Sequence, residues 1–414
     1  MIPADLPDGA PVPRPKNNKY DYIDAVRGWA ILLVITCHVG GRFAELPYPV
    51  KKLTNFGWHG VQMFFLASAV TLMMSWARKK EAGWTAAWHF FIRRFLRIAP
   101  MYYTGALIYF IAEPPDNGFD LAQMLRSFLF INAWHPDWIP TTPGWMVVPG
   151  GWSIGVEFTF YALFPVLATL LVTLPRAVLF FFGALVLSVY ANQYGLISFD
   201  HYSKVAVDNF LYFWFPNQVP IFALGIILYH LLTKTSLTVK RTSTAYTIIA
   251  AVFVACAVAA ERPTSSNLFN SLIFMPTVFF AALSFMVFII VVAKGPETLF
   301  THPWIRRLGV LSFSSYVLHF YFVYAVPVWS GGLIDPNAKG FAAIGTFVAL
   351  WVLTVIGTAA AATVAHRFIE QPGMNLARWL TSSRKAQRAA STPLRPPTGL
   401  MQEAPLTPRP EDHP

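Results

Sequence analysis

The sequence predicts an all-α polytopic bundle of about ten transmembrane helices, with both termini cytoplasmic. Three observations predict it. Of the 414 residues, 55% are hydrophobic and only 12% charged, whereas a soluble domain carries about 25% charged residues. Mean hydropathy is +0.49, and apolar runs of ~20 residues, each able to cross a ~30 Å hydrocarbon core, recur along nearly the whole chain. Basic residues, finally, sort to one side of successive runs.

Residues 1–20 are rich in Pro and Asp, end on Lys16, Asn17, Asn18 and Lys19, and show no helical period. They read as a disordered cytoplasmic tail without the apolar region of a cleavable signal peptide. Spans are predicted at 22–40, 57–77, 98–112, 152–174, 177–193, 210–232, 245–260, 268–293, 309–329 and 341–365. The apolar piece from Met124 to Ala133 is too brief for a span and reads as re-entrant or interfacial. The membrane domain thus covers 21–380. A second cytoplasmic tail, 381–414, is dominated by Pro, Arg, Ser and Thr. No second folded domain and no internal repeat is visible.

With the N-terminus inside, 24 of the 31 basic residues fall in inner segments. The long outer loop 113–151 carries Glu113, Asp116, Asp120 and Asp137 instead. This positive-inside bias accounts for the net charge of +11 without a nucleic-acid partner. Cys37 and Cys256 both lie inside spans and form no disulfide framework; Cys37 reads as an apolar filler. No metal site and no tightly bound cofactor are expected.

Ionisable groups inside spans cost ~2.5–3.5 kcal/mol each on insertion scales and are functional suspects by default. The first span carries Arg27 at its entrance and His38 further in. Eleven residues of helix make ~3 turns and ~16 Å of rise, so both project from nearly the same face. His38 falls in the outer half of the bilayer and reads as either a functional imidazole or a packing histidine. In the fourth span, Ser153, Glu157 and Tyr161 are spaced i, i+4, i+8 and form one polar stripe. Glu157 is expected in the outer half as well, facing His38, because a carboxylate fixes an imidazole's tautomer and raises its basicity. A structural pairing of Glu157 with Arg or Tyr is the alternative. In the ninth span Ser312, Ser315 or Tyr316, and His319 share a face, for chemistry or as hydroxyl–imidazole glue between helices. His230 borders an inner loop and reads as interfacial.

Arg93, Arg94 and Arg97 form the densest basic cluster, in an inner loop leading into the third span. Guanidinium forks suit bidentate binding of phosphate oxygens; anchoring at lipid headgroups is the bland alternative. A phosphate-bearing donor could thus bind from inside with its reactive end reaching toward His38, while an acceptor arrives from outside.

These residues resemble the acyltransferase-3 family of integral-membrane proteins that acylate sugars, polysaccharides, lipopolysaccharide and some secondary metabolites. The family's opening pattern is similar to Asp24, Arg27-Gly28 and His38, and its second-span pattern to GVQMFFLAS, Gly60 to Ser68. Its basic block resembles RRFLRIAP, Arg93 to Pro100, and its fourth-span block resembles Trp152, Ser153, Val156-Glu157, Phe160-Tyr161 and Pro165. LGVLSFSSYVLH and HRFIEQP resemble its last two blocks. The chain departs from the family at Ala69, where glycine is usual, and at Gln62, where an acidic residue is common. The extra hydrolase-like C-terminal domain of some members is not seen.

The resemblance implies an O-acyltransferase of the inner cell membrane. It would pass a short acyl group, acetyl being the expected one, from cytoplasmic acyl-CoA to a hydroxyl of an extracytoplasmic or lipid-linked glycan-like acceptor. His38 would be general base or transient acyl carrier, and Glu157 its partner or the acceptor's proton acceptor. Arg27, Arg93, Arg94 and Arg97 would hold the donor. Asp24, Trp152, Ser153, Tyr161, Tyr316 and His319 would contact substrate or support the site. A transporter or flippase for an acidic or lipid-linked substrate is the rival; it would favour repeated halves, which the sequence lacks. The oligomeric state is left open.

Overall fold

In hydrocarbon, each unsatisfied backbone amide or carbonyl costs several kcal/mol, so apolar runs must close their hydrogen bonds within helices. The computed structural model describes residues 21–79, 81–115, 118–139, 146–261 and 276–382, and among them there are helices and connections but no strand. The tails, apart from their first residue or two at 381–382, and the Cys256 side chain lie outside the described residues.

The helices in order are α1 (Asp21–Gly41), α2 (Tyr48–Phe56), α3 (Gly60–Ala77), α4 (Gly83–Ala112), α5 (Leu121–Phe128), α6 (Trp152–Leu170), α7 (Leu174–Ser198), α8 (Lys204–Phe213), α9 (Phe215–Lys234), α10 (Thr242–Glu261), α11 (Pro276–Lys294), α12 (Pro303–Val310), α13 (Ser312–Trp329), α14 (Gly340–Ala365) and α15 (Gln371–Leu380). A 3-10 turn, Gly57–His59, joins α2 to α3, and a π turn, His366–Glu370, joins α14 to α15. Among the described residues, eight helices or continuous helix pairs are long and apolar enough to cross a membrane; Leu299–Val310 and Ser312–Trp329 reach that length and hydropathy only when taken together, and they are bent by 77°. α10 occupies the place of the remaining predicted span. The chain is a multi-pass, all-α membrane protein.

Two predicted elements differ from what forms. The third span was expected at 98–112, preceded by a basic loop; α4 instead runs unbroken for 30 residues, Gly83–Ala112. Phe90, Phe91, Phe95 and Ile98 keep an apolar face at helical spacing through the arginines, so the basic cluster lies on the helix. The predicted ninth span breaks at Leu311, between α12 and α13. The short piece at 124–133 is helical only to Phe128. Beyond it Phe130, with φ 59°, stacks on Phe158 of α6 at 3.8 Å between ring centroids.

α1 is the hub of the bundle, touching α2, α3, α11, α12, α13 and α14. Its crossing with α12 is set by two glycines. A Cβ on Gly28 would lie 2.1 Å from the Ile305 carbonyl oxygen, and one on Gly309 would lie 1.7 Å from the Asp24 carbonyl oxygen. Each helix thus lacks a side chain where the other's backbone passes. Close backbone approach through small residues is how membrane helices gain packing without a hydrophobic driving force between them. Trp29 Nε1 donates to the Phe300 carbonyl at 2.9 Å, and Asp21 pairs with Arg306. At the same end, α15 lies on α4, with Gly373 seated against the Leu96 carbonyl. The adjoining π turn is held by Glu370, 3% exposed, which accepts from Ser314 and pairs with His366 at 3.0 Å.

Candidate active site

The polar stripe of α6 faces a cavity of about 80 Å³ lined by α1, α3, α4, α6 and α13. Arg27 enters it from α1, Ser68 from α3, Arg94 and Arg97 from α4, Ser153, Glu157 and Tyr161 from α6, and Tyr316 from α13. Helical periodicity places the α6 residues: positions four apart lie one above another, so one face delivers all of them.

Glu157 accepts hydrogen bonds from the Ser68 hydroxyl and, at 2.5 Å, from the Tyr161 hydroxyl. Arg27 donates to Thr71 Oγ1 at 3.4 Å. Arg94 lies over the rings of Phe90 and Tyr161, 5.7 Å from each centroid. Among the described residues, none of Arg27, Arg93, Arg94 and Arg97 makes an ion pair. Unpaired guanidinium groups in a partly buried setting carry a desolvation penalty that an incoming anion relieves, and Glu157 offsets only part of their charge. Ser153 donates to the Tyr316 hydroxyl at 2.8 Å, and Tyr316 donates in turn to the Gly150 carbonyl at 3.0 Å.

His38 is not part of this lining. Its ring lies 5.1 Å from that of His319 and 4.2 Å from that of Phe320. His319 is fully buried; its Nδ1 donates to the Tyr316 carbonyl at 2.7 Å, which leaves Nε2 as a lone-pair acceptor. Among the described residues that Nε2 has no partner. The expected His38–Glu157 facing is therefore corrected: Glu157 is held by Ser68 and Tyr161, and the imidazole's neighbour is a second imidazole. Helical spacing ranks residues on a face but does not choose which neighbouring helix that face meets. Tyr316 links the two parts, lining the cavity while its ring lies 5.7 Å from that of His319.

The other predicted positions fall outside the cavity. Asp24 lies at the α1–α12 crossing. Trp152 packs on Phe213 at 4.4 Å and Tyr212 at 5.3 Å. Arg93 lines a neighbouring cavity. His230 is buried and bonds the Leu171 carbonyl at 2.9 Å, a packing role in place of an interfacial one. Gln62, given no role from sequence, donates to the Tyr212 hydroxyl at 3.0 Å and ties α3 to α8. Sequence reasoning also missed the part played by Ser68; its only signal was the serine that closes the second-span motif.

Residues 20–366 match the acyltransferase domain family. The chain belongs to that family. This acyltransferase-family chain is also similar to the acyltransferase MdmB of Streptomyces mycarofaciens, at 29% identity over 153 residues. That similarity covers 34% of this chain and 38% of the relative. No solved structure matches. The match extends over every helix that lines the cavity, so the acyltransferase domain and the candidate site coincide.

Removing the Ser68 hydroxyl should weaken the site without collapsing it. Ser68→Ala takes one charge-assisted hydrogen bond from Glu157, worth ~1.5–3 kcal/mol. We expect a roughly tenfold or greater loss of turnover with an unchanged elution profile, measured on the purified variant.

Proposed function

We propose that this protein transfers a short acyl group from acyl-CoA to a hydroxyl of a glycan-like or lipid-linked acceptor. The observation that carries the reading is the cavity in which Arg27, Arg94 and Arg97 lie without ion-pair partners among the described residues, beside a hydrogen-bonded carboxylate, within an acyltransferase domain. The guanidinium groups would hold donor phosphates, and the apolar walls formed by Val61, Phe64 and Phe65 would take the pantetheine arm.

In the transfer step, the acceptor oxygen attacks the thioester carbonyl. A C–O bond forms, the C–S bond breaks, CoA leaves as its thiolate, and His38 takes the acceptor's proton and returns it to the sulfur. His319, whose ring lies 5.1 Å from that of His38, would hold that imidazole in place by packing. The donor is read as acetyl-CoA entering from the cytoplasm, and the membrane as the inner cell membrane.

The direct test uses the full chain in proteoliposomes with [14C-acetyl]-CoA and an envelope glycan extract. Mass spectrometry should find products heavier by one acetyl group, and CoA should be released in equal amount. Unchanged glycans and metabolites, together with intact acyl-CoA, would sink the proposal.

A further inference from the structure

A separate cavity, of about 500 Å³, lies at the end of the bundle that carries the basic loops. The first turn of α1, the last turns of α3, α9 and α11, the connection after α11, and α12 border it. It shares no lining residue with the candidate active site. Buried Leu232 and Val292 form its apolar side, and Asp21, Lys294, Glu297 and Arg306 its charged side.

The connection from α11 to α12 is pinned along its length. The Val239 amide donates to the Lys294 carbonyl at 3.1 Å and the Leu299 amide to the Tyr246 hydroxyl at 3.1 Å, beside the bond from Trp29 to Phe300. Gly295 closes the last turn of α11 by donating to the Val291 carbonyl at 2.8 Å, and Pro296 after it cannot continue the helix. Arg306 reaches both carboxylates: it clasps Asp21 and lies 4.0 Å from Glu297, whose side chain is 66% exposed. Lys294 has no ion-pair partner among the described residues. Two carboxylates thus face two cations, with Lys294 unengaged and Glu297 held at only one distant contact. The last turns of three helices add the negative ends of their dipoles to the carboxylates.

We propose that this cavity binds the headgroup of a zwitterionic phospholipid with a primary ammonium, phosphatidylethanolamine being the probe of that class. Lys294 takes the phosphate, Glu297 and Asp21 take the ammonium, and the apolar side meets the start of the acyl chains. Cationic pockets between membrane helices on the inner side suit lipid phosphates. The carboxylates select the rest of the headgroup. A primary ammonium brings three donors for their oxygens, whereas an anionic headgroup brings charge of their own sign. A quaternary ammonium has no N–H to donate and is recognised by aromatic cages; Tyr22 is the one aromatic residue lining this cavity. The inference does not depend on the acyl-CoA reading. A soluble phosphoethanolamine ester offers the same headgroup chemistry, so the test separates the two sources.

The full chain is purified in detergent, and equilibrium binding is measured for phosphatidylethanolamine, phosphatidylcholine and phosphatidylglycerol of one short chain length, and for glycerophosphoethanolamine. Wild type should bind phosphatidylethanolamine roughly tenfold more tightly than the other three, the scale of one charge-assisted hydrogen bond. Glu297→Gln should raise the Kd for phosphatidylethanolamine about fivefold, as befits an exposed ionic contact, and leave that for phosphatidylcholine unchanged. Lys294→Gln should weaken both lipids alike, because they share the phosphate. Neither substitution alters a buried side chain, so unfolding midpoints in lipid-free detergent should match wild type. Equal affinity of wild type for phosphatidylethanolamine and phosphatidylcholine overturns the ammonium contact and with it the proposal. Tightest binding of phosphatidylglycerol makes the cavity an anion site, and glycerophosphoethanolamine binding as well as the lipid makes it a site for a soluble ligand; either result sinks the assignment.

Discussion

Replacing His38 by alanine is expected to lower acyl transfer by roughly 10²–10⁴-fold, the range of a general acid–base contribution. The protein should remain folded and bind the donor with wild-type affinity, because the arginines line cavities that do not include position 38. His38 lies three helical turns beyond Arg27, beside an imidazole whose Nδ1 hydrogen is committed to the Tyr316 carbonyl. An alanine there leaves the acceptor proton without a destination. Labelled acetyl transfer and acetyl-CoA binding, measured on the same preparation, check both parts. A variant combining His38→Ala with Val39→His keeps an imidazole but turns it by about 100° around the helix, into a fully buried position; it should be as inactive as His38→Ala. Wild-type transfer in His38→Ala would remove the catalytic role.

Gly309→Ala should give the largest loss of stability. Its Cβ would fall 1.7 Å from the Asp24 carbonyl oxygen, and backbone cannot yield as a side-chain tip can. α1 and α12 must part, at a cost of at least the ~1–3 kcal/mol typical of overpacking. Asp24 is less than one turn from Arg27, so the separation also displaces a guanidinium from the cavity. Thermal unfolding in detergent should shift down by several degrees, ~2–4 °C per kcal/mol for a domain of 150–250 residues, and acetyl-CoA affinity should fall with it. Gly28→Ala should act in the same direction, its Cβ meeting the Ile305 carbonyl at 2.1 Å. Gly345→Ala, where nothing lies within 4 Å, should be neutral or slightly stabilising, because alanine favours helix over glycine. Equal midpoints for Gly309→Ala and Gly345→Ala would refute the packing argument.

The spans were legible because membrane insertion is written in hydropathy, which is a local property. The α6 stripe was legible too: Ser153, Glu157 and Tyr161 repeat every four residues and reach one cavity together. What could not be read was partner choice. Whether Glu157 meets His38 or Ser68 depends on how α3 settles between α1 and α6, which no spacing encodes. The same holds for Arg378: in sequence it is one of several basic residues near a C-terminal tail, and only the packing of α15 on α4, with Gly373 against the Leu96 carbonyl, brings it opposite Arg93. The helical state of the basic cluster was hidden by charge, since the arginines lowered the local hydropathy while the phenylalanines between them kept the helix amphipathic.

The interlock of α1 with α12 has a consequence for biogenesis. Trp29 and the Phe300 carbonyl it bonds are 271 residues apart. At roughly 5–20 residues per second of synthesis, the first helix enters the bilayer tens of seconds before its main partner exists. During that interval the Asp24 and Ile305 backbones have not met, and Arg27 must be stabilised by headgroups, water or the insertion machinery. The candidate site is therefore among the last features of the protein to form, and a chain truncated before α12 would be inserted but without the cavity's α13 wall.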